Sequence, residues 1–140
     1  MEILKIKTKN RKVGDFGESA AEKLLKRKKF KILHRNYVAV DHEIDIIAED
    51  KSTVIFVEVK TRSLSGDDRF PDRPAAAVNR EKRMAIMKAA SYYAAYNPSE
   101  KKKRFDVIEV YVKDEGGRLK VTDINHMEGA FDANDAYKVF

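Results

Sequence analysis

The sequence predicts an α+β fold, an α/β sandwich in which helices flank a central mixed sheet. Three observations lead there: an apolar stripe at helical spacing near the N-terminus, three β-rich segments in succession after it, and a second helical stripe followed by two more strands. The resulting order is αβββαββ. A length of 140 residues with 43% apolar content gives a single domain, 1–140, with one core and its main elements within about residues 10–131.

The first helix is expected to start between Asn10 and Asp15 and to run to about Lys29, with Val13, Gly17, Ala20, Ala21, Leu24 and Leu25 as its apolar stripe. Phe30 to Tyr37 reads as the first strand. Glu43 to Glu49 and Val54 to Thr61 are rich in Ile and Val, and the polar Asp50-Lys51-Ser52 between them reads as a hairpin turn. Arg62 to Arg73, with Gly66, Asp67, Asp68 and Pro71, reads as a mobile loop. A longer helix follows over about Ala75 to Tyr96, where Val78, Ala85, Ile86, Ala89, Tyr93 and Tyr96 recur at helical spacing, and Pro98 ends it. That phase favours core packing over base stacking for Tyr92, Tyr93 and Tyr96. Arg104 to Val112 alternates as a strand, Gly116-Gly117 supplies a turn, and Leu119 to Ile124 makes a last strand before an irregular acidic tail.

Composition narrows the chemistry. The absence of cysteine excludes disulfides, thiol nucleophiles and zinc-thiolate sites, and fits a reducing compartment. The N-terminal residues lack an apolar leader segment, and no apolar run approaches the ~20 residues of a membrane span. A soluble cytoplasmic protein with no membrane partner is expected. Formal charge is +6, but residues 123 to 140 contribute −3, leaving +9 upstream. Basic side chains concentrate at Lys5 to Lys12, at Lys26, Arg27, Lys28 and Lys29 with Lys31, and at Lys101 to Arg104. Each run taken alone reads first as a solvated surface, or as cations complementing a helix dipole, before it reads as a polyanion footprint. Three of them in a chain that also carries an acidic cluster point to a polyanion such as nucleic acid.

That cluster comes from two strings, Glu43-Ile44-Asp45 and Glu58-Val59-Lys60. If Lys51-Ser52 is a two-residue loop, the antiparallel register sets Ile47 against Phe56, Asp45 against Glu58 and Glu43 against Lys60, all on one face. Directly opposed side chains have Cβ atoms about 5 Å apart, where two acids repel unless a cation lies between them. A plain cross-strand salt-bridge ladder is the alternative, contributing under ~1 kcal/mol per pair. His34, His42 and His126 lack metal-ligand spacing and read as surface imidazoles.

Those strings, taken as Glu43 to Ala48 and Phe56 to Arg62, resemble the YraN-type family of predicted endonucleases. So do Gly14-x-x-Gly17-Glu18, Ala77-Val78-x-x-x-Lys82 and Arg104-Phe105-Asp106-Val107. The family is grouped with the restriction-endonuclease-like PD-(D/E)xK superfamily and is similar to archaeal Holliday junction resolvases, whose core is αβββαβ. The resemblance implies Asp45 as the metal-binding aspartate, Glu58 as the second acidic ligand and Lys60 as the catalytic lysine, with Glu18 matching the helix glutamate. Asp15-x-x-Glu18 equally fits a capping box at a helix start. The Val59 carbonyl is a candidate third ligand, and Glu43, Lys82 and Asp106 are candidate supports beside the ligands. His42 stands where members usually carry glycine.

Two carboxylates suit Mg²⁺ or Mn²⁺, with water and phosphate oxygens completing the shell. The reading is a metal-dependent endonuclease hydrolysing phosphodiesters of branched or otherwise structured DNA, with Lys26, Arg27, Lys28, Lys29 and Arg62 as candidate DNA contacts. A homodimer is left open. The alternative is a non-catalytic nucleic-acid-binding protein that keeps the nuclease fold.

Overall fold

In the computed structural model, which describes residues 2–63 and 79–132, the predicted order αβββαββ is the order found. Helix α1 spans Glu2–Arg27. It begins some ten residues before the expected start because Glu2 to Val13 contains neither glycine nor proline and consists largely of good helix formers. Asp15 and Glu18 are therefore interior to the helix, and the capping-box reading fails. The C-terminus closes with Lys29 in the left-handed region (φ 72): Lys29 N donates to Lys26 O at 3.0 Å and Phe30 N to Leu25 O at 2.9 Å. This is the paired-bond closure usually built on glycine, here with buried Phe30 and Leu25 in the same core.

Strands β1 (Lys31–Ala39), β2 (His42–Glu49) and β3 (Thr53–Ser63) follow. Val40 (φ 52) and Asp41 (φ 62) form the tight turn between the first two, both in the left-handed region that a two-residue type I′ hairpin turn requires. The second turn is the one expected: Asp50 Oδ1 accepts from Ser52 N and Thr53 N, each at 2.9 Å. Helix α2 spans Arg80–Tyr96, capped by Asn79, whose side chain accepts from Lys82 N. Arg62 and Ser63, expected to open the loop, instead end β3; the rest of that loop, 64–73, and the expected helical residues 75–78 lie outside the described residues. Strands β4 (Lys102–Glu115) and β5 (Arg118–Phe131) turn at Gly116 and Gly117, both at positive φ. β5 runs seven residues past Ile124, so the start of the expected irregular tail is strand. It pairs back along β4 until Phe131 stacks on Phe105 at 5.0 Å.

The five strands lie in sequence order, β1-β2-β3-β4-β5. Among the described strands only β3 and β4 pair in parallel, joined through α2, and β3 lies at the centre. The helices cover opposite faces. Ala21 and Leu25 of α1 pack on Ile46, Ala48, Ile55, Val57, Ile108 and Val110. Ala89, Ala90 and Tyr93 of α2 pack on Ile44, Ile47, Val54 and Phe56, with Ile86 on Val107 and Phe131. Each fully buried Leu or Ile contributes roughly 1.5–3 kcal/mol relative to exposure.

Candidate active site

The register predicted from the Lys51-Ser52 turn is the one formed, but it stops early. β2 and β3 pair from Glu49↔Val54 through Ile47↔Phe56 to Ile46↔Val57, and there the ladder ends. Glu43 does not meet Lys60: it pairs with Val38 on β1, while Lys60 pairs with Glu109 on β4. The expected single face is also broken. Ile44 belongs to the α2 core and Ile46 to the α1 core, so strand alternation fails at the residue between them, Asp45. In the adjoining β1, Asn36 takes φ 54. Asp45 thereby turns into the gap between the strands, where its Oδ2 accepts from the Val59 main-chain N–H at 2.8 Å. A side chain has replaced the ladder.

Glu58 lies on the α2 face of β3 and is 7% exposed. Lys82, in the first turn of α2, places Nζ 2.6 Å from Glu58 Oε1, and Lys60 Nζ lies 3.6 Å from the same oxygen. From the other side, α1 brings the Glu18 carboxyl beside that of Asp45. The approach depends on Gly17: a Cβ there would lie 2.7 Å from Thr61 Cγ2 and closer still to its Oγ1. Arg35 of β1 ties this arrangement down, with Nη1 2.7 Å from Glu22 Oε2 and Nη2 3.7 Å from Glu18 Oε2. With its amide nitrogen toward the acids, Asn36 donates to Glu43 Oε1 at 2.7 Å and Glu18 Oε1 at 3.3 Å.

Burial, and after it the neighbouring charge of Glu58, push the Asp45 carboxyl up to about 8. Burial also raises Glu18, against the pull of Arg35. Lys60 is lowered, first by burial and then by Lys82 beside it, whereas at Lys82 burial is overcome by Glu58, Lys60 and Asp45 together, which raise it. The site is thus an acid cluster short of positive charge at Asp45 and supplied with it at Glu58. Among the described residues no three His, Asp or Glu side chains gather in a metal-holding group. A cation at Asp45 and Glu58 would draw its remaining ligands from main chain, water or substrate. The Val59 main-chain N–H is the group Asp45 holds.

Arg62 is the next residue beyond Lys60 on the same face and close enough to bear on its charge. On that face too, Tyr111 and Asn125 both hydrogen-bond the buried Glu109, Asn125 at 3.3 Å. Asp106 is elsewhere. Although next to Val107, the partner of Glu58, it faces the α1 side, fully buried, where Arg104 binds it through Nε (2.8 Å) and Nη2 (2.9 Å), His126 Nε2 at 2.7 Å and Gly129 N at 3.0 Å. Those three partners overcome its burial and hold it below the usual carboxylate range. His126, read from sequence as a surface imidazole, has a side chain only 2% exposed and takes Lys28 Nζ at Nδ1, 2.8 Å away.

Lys26, Arg27, Lys28 and Lys29 sit at the far end of α1, which leads into Lys31, paired with Glu49 beside the β2–β3 turn. Lys102 and Lys103 pair with Thr53 and Val54 at the same end. The two described basic clusters therefore meet at the turn end of the sheet, about 17 Å along β3 from Glu58.

The sequence model of the uncharacterised protein family UPF0102 matches residues 17–110, a span holding Glu18, Asp45, Glu58, Lys60, Lys82 and Asp106. A UPF0102 protein of Caldicellulosiruptor bescii is 40% identical over 123 residues, 86% of this chain and 98% of the relative. One of Clostridium acetobutylicum is 40% identical over 128 residues (87% and 95%), and one of Alkaliphilus oremlandii 42% over 125 residues (87% and 99%).

Proposed function

The chain belongs to the uncharacterised protein family UPF0102, and from its site we propose that it is a divalent-metal-dependent nuclease acting on structured or branched DNA. The observation that carries the reading is the neighbouring pair Asp45 and Glu58, a half-buried and a buried carboxylate at the break in a strand ladder, with Lys60 on the strand of Glu58. The resemblance to PD-(D/E)xK nucleases supports it, since acid, acid and lysine fall in the order that superfamily uses.

The donor set fits Mg²⁺ or Mn²⁺. Both acids offer hard oxygen ligands, Mg²⁺ is commonly held by only one or two carboxylates, and a carboxyl held at about 8 by burial and like charge is the group such an ion would relieve. Asp45 and Glu58 would hold it, with the Val59 carbonyl as a further ligand. When bound it would supply Lewis-acid polarisation of the phosphate and a more acidic water. Lys60, outside that pair but beside it, orients the attacking water or neutralises charge as the transition state forms. Lys82 holds Glu58 in place from α2, and Glu18, braced by Arg35, holds Asp45 from α1.

A second reading has one observation in its favour. Lys82 already neutralises Glu58 at 2.6 Å, as it would in a protein that binds nucleic acid on its basic surface and cleaves nothing. Incubation with duplex, single-stranded and four-way-junction DNA, with and without Mg²⁺ or Mn²⁺, decides between them. Metal-dependent cleavage lost in Asp45→Asn and Glu58→Gln supports the nuclease, and binding with no cleavage of any form under either metal rejects it.

A further inference from the structure

Tyr93 packs in the core as its helical phase predicts, but Tyr92 and Tyr96 do not: they are 45% and 71% exposed, with ring centroids 4.7 Å apart. They end a stripe on the outer side of α2, Arg80, Met84, Lys88, Tyr92 and Tyr96, in which every residue follows the last by one turn. The stripe extends about 24 Å. It starts at Arg80, two residues before the Lys82 that holds Glu58, and there forms one wall of a groove of about 580 Å³ whose other wall is Val40 and Asp41 of the β1–β2 turn. It finishes just before the Lys101 to Lys103 cluster at the turn end of the sheet.

We propose that this stripe is a track for single-stranded nucleic acid, stacking two bases on Tyr92 and Tyr96 and leading the strand to Asp45 and Glu58. Asp41 and Glu81 also border the groove, so charge by itself does not select the occupant. The rings do. A duplex keeps its bases stacked internally, whereas an unpaired strand offers each base face to an exposed aromatic ring while its phosphates meet Lys88, Arg80 and the basic end. The inference rests on the nuclease reading for its direction and narrows the substrate to DNA with an unpaired arm.

Binding of a fluorescently labelled oligo-dT, measured by anisotropy in EDTA so that nothing is cleaved, tests the track. Tyr92→Ala and Tyr96→Ala should each weaken it at least about fivefold, and Tyr→Phe at both positions should restore it. Affinity for a blunt duplex should stay within about twofold throughout. Because the chain has no tryptophan, quenching of its tyrosine emission by oligo-dT gives a label-free check. Unchanged oligo-dT affinity in the double alanine variant overturns the track. So does a result in which that variant only dissolves a dimer, which would make the stripe a contact between copies. Wild type that cleaves junction DNA but ignores oligo-dT refutes this inference alone. Oligo-dT binding through the tyrosines without metal-dependent cleavage refutes the nuclease reading alone.

Discussion

Lys60 stands 3.6 Å from Glu58 without a direct place in an Asp45–Glu58 cation site, which separates binding from rate. Lys60→Ala should retain metal and DNA affinity but cleave about 10²-fold or more slowly in single-turnover assays, because a charge that acts as the transition state develops changes rate more than ground-state binding. Lys60→Arg should also fail, since a wide planar fork cannot replace a compact ammonium. Equal rates would remove Lys60 from the mechanism. Asp45 makes a different prediction in metal-free buffer. Its folded carboxyl titrates near 8 against 3.8 for an ordinary aspartate, so between those values the folded state holds the extra proton and its stability falls as pH rises. From pH 5 to pH 9 with EDTA, wild-type Tm should drop relative to Asp45→Asn, which has no proton to lose there, and a parallel pair of curves would contradict the burial argument. That Asp45 and Glu58 come near each other, although the direct pairing of the two acids does not form, was legible in the sequence because a two-residue turn fixes the hairpin register as far as Ile46↔Val57. Arg35 and the left-handed Asn36 were not, because they matter only once the alternation breaks at Asp45. The single early sign was asparagine inside a strand, where it is disfavoured. Asp106 was placed beside the ligands for want of its face: one residue from Val107 along β4 is the opposite side of the sheet.

At the scale of elements, the contact that fixes α1 is Gly17 over Thr61. Gly17→Ala would ordinarily favour a helix, yet here the added methyl must displace the helix or the Thr61 side chain. A loss of roughly 1–3 kcal/mol in chemical denaturation is expected, with divalent-ion affinity weakened as Glu18 retreats from Asp45. Thr61→Ala in the same chain should recover part of both, and an unaltered Gly17→Ala would show that α1 has slack. Helix and strand identities were readable from periodicity, but lengths were not. α1 is longer than its apolar stripe because its first turns rely on helix propensity, and β5 is longer because pairing with β4 carries it through polar residues that show no alternation.

Across the whole molecule, the acid pair and two of the basic clusters are set at different ends, a separation that sequence could not reveal because Lys26 to Lys31 and Lys101 to Arg104 come together only through strand register. If about five phosphates are met, log K for DNA should fall against log salt with a slope near −4 to −5. Changing Lys26, Arg27 and Lys29 to Gln, and sparing Lys28 for its bond to His126, should flatten that slope by up to about 0.9 per lost contact while Mg²⁺ affinity holds. A slope that does not move would exclude this end from the DNA interface. The lone parallel seam has a consequence for how the chain acquires its shape. β1, β2 and β3 close through tight turns, as do β4 and β5, whereas Thr53 can meet Lys102 only after the intervening chain and α2 have been looped back, a closure whose entropy must be met first. Folding should therefore proceed as two antiparallel halves that zip together last between β3 and β4. In pulsed hydrogen exchange, amides within the β1–β2 hairpin should gain protection before those bonded across the seam, and simultaneous protection would mean that the halves do not form apart. Until that late step Glu58 has no Val107 beside it and Ile86 of α2 has neither Val107 nor Phe131 to rest on, so the surroundings of Glu58 are among the last parts of the protein to be completed.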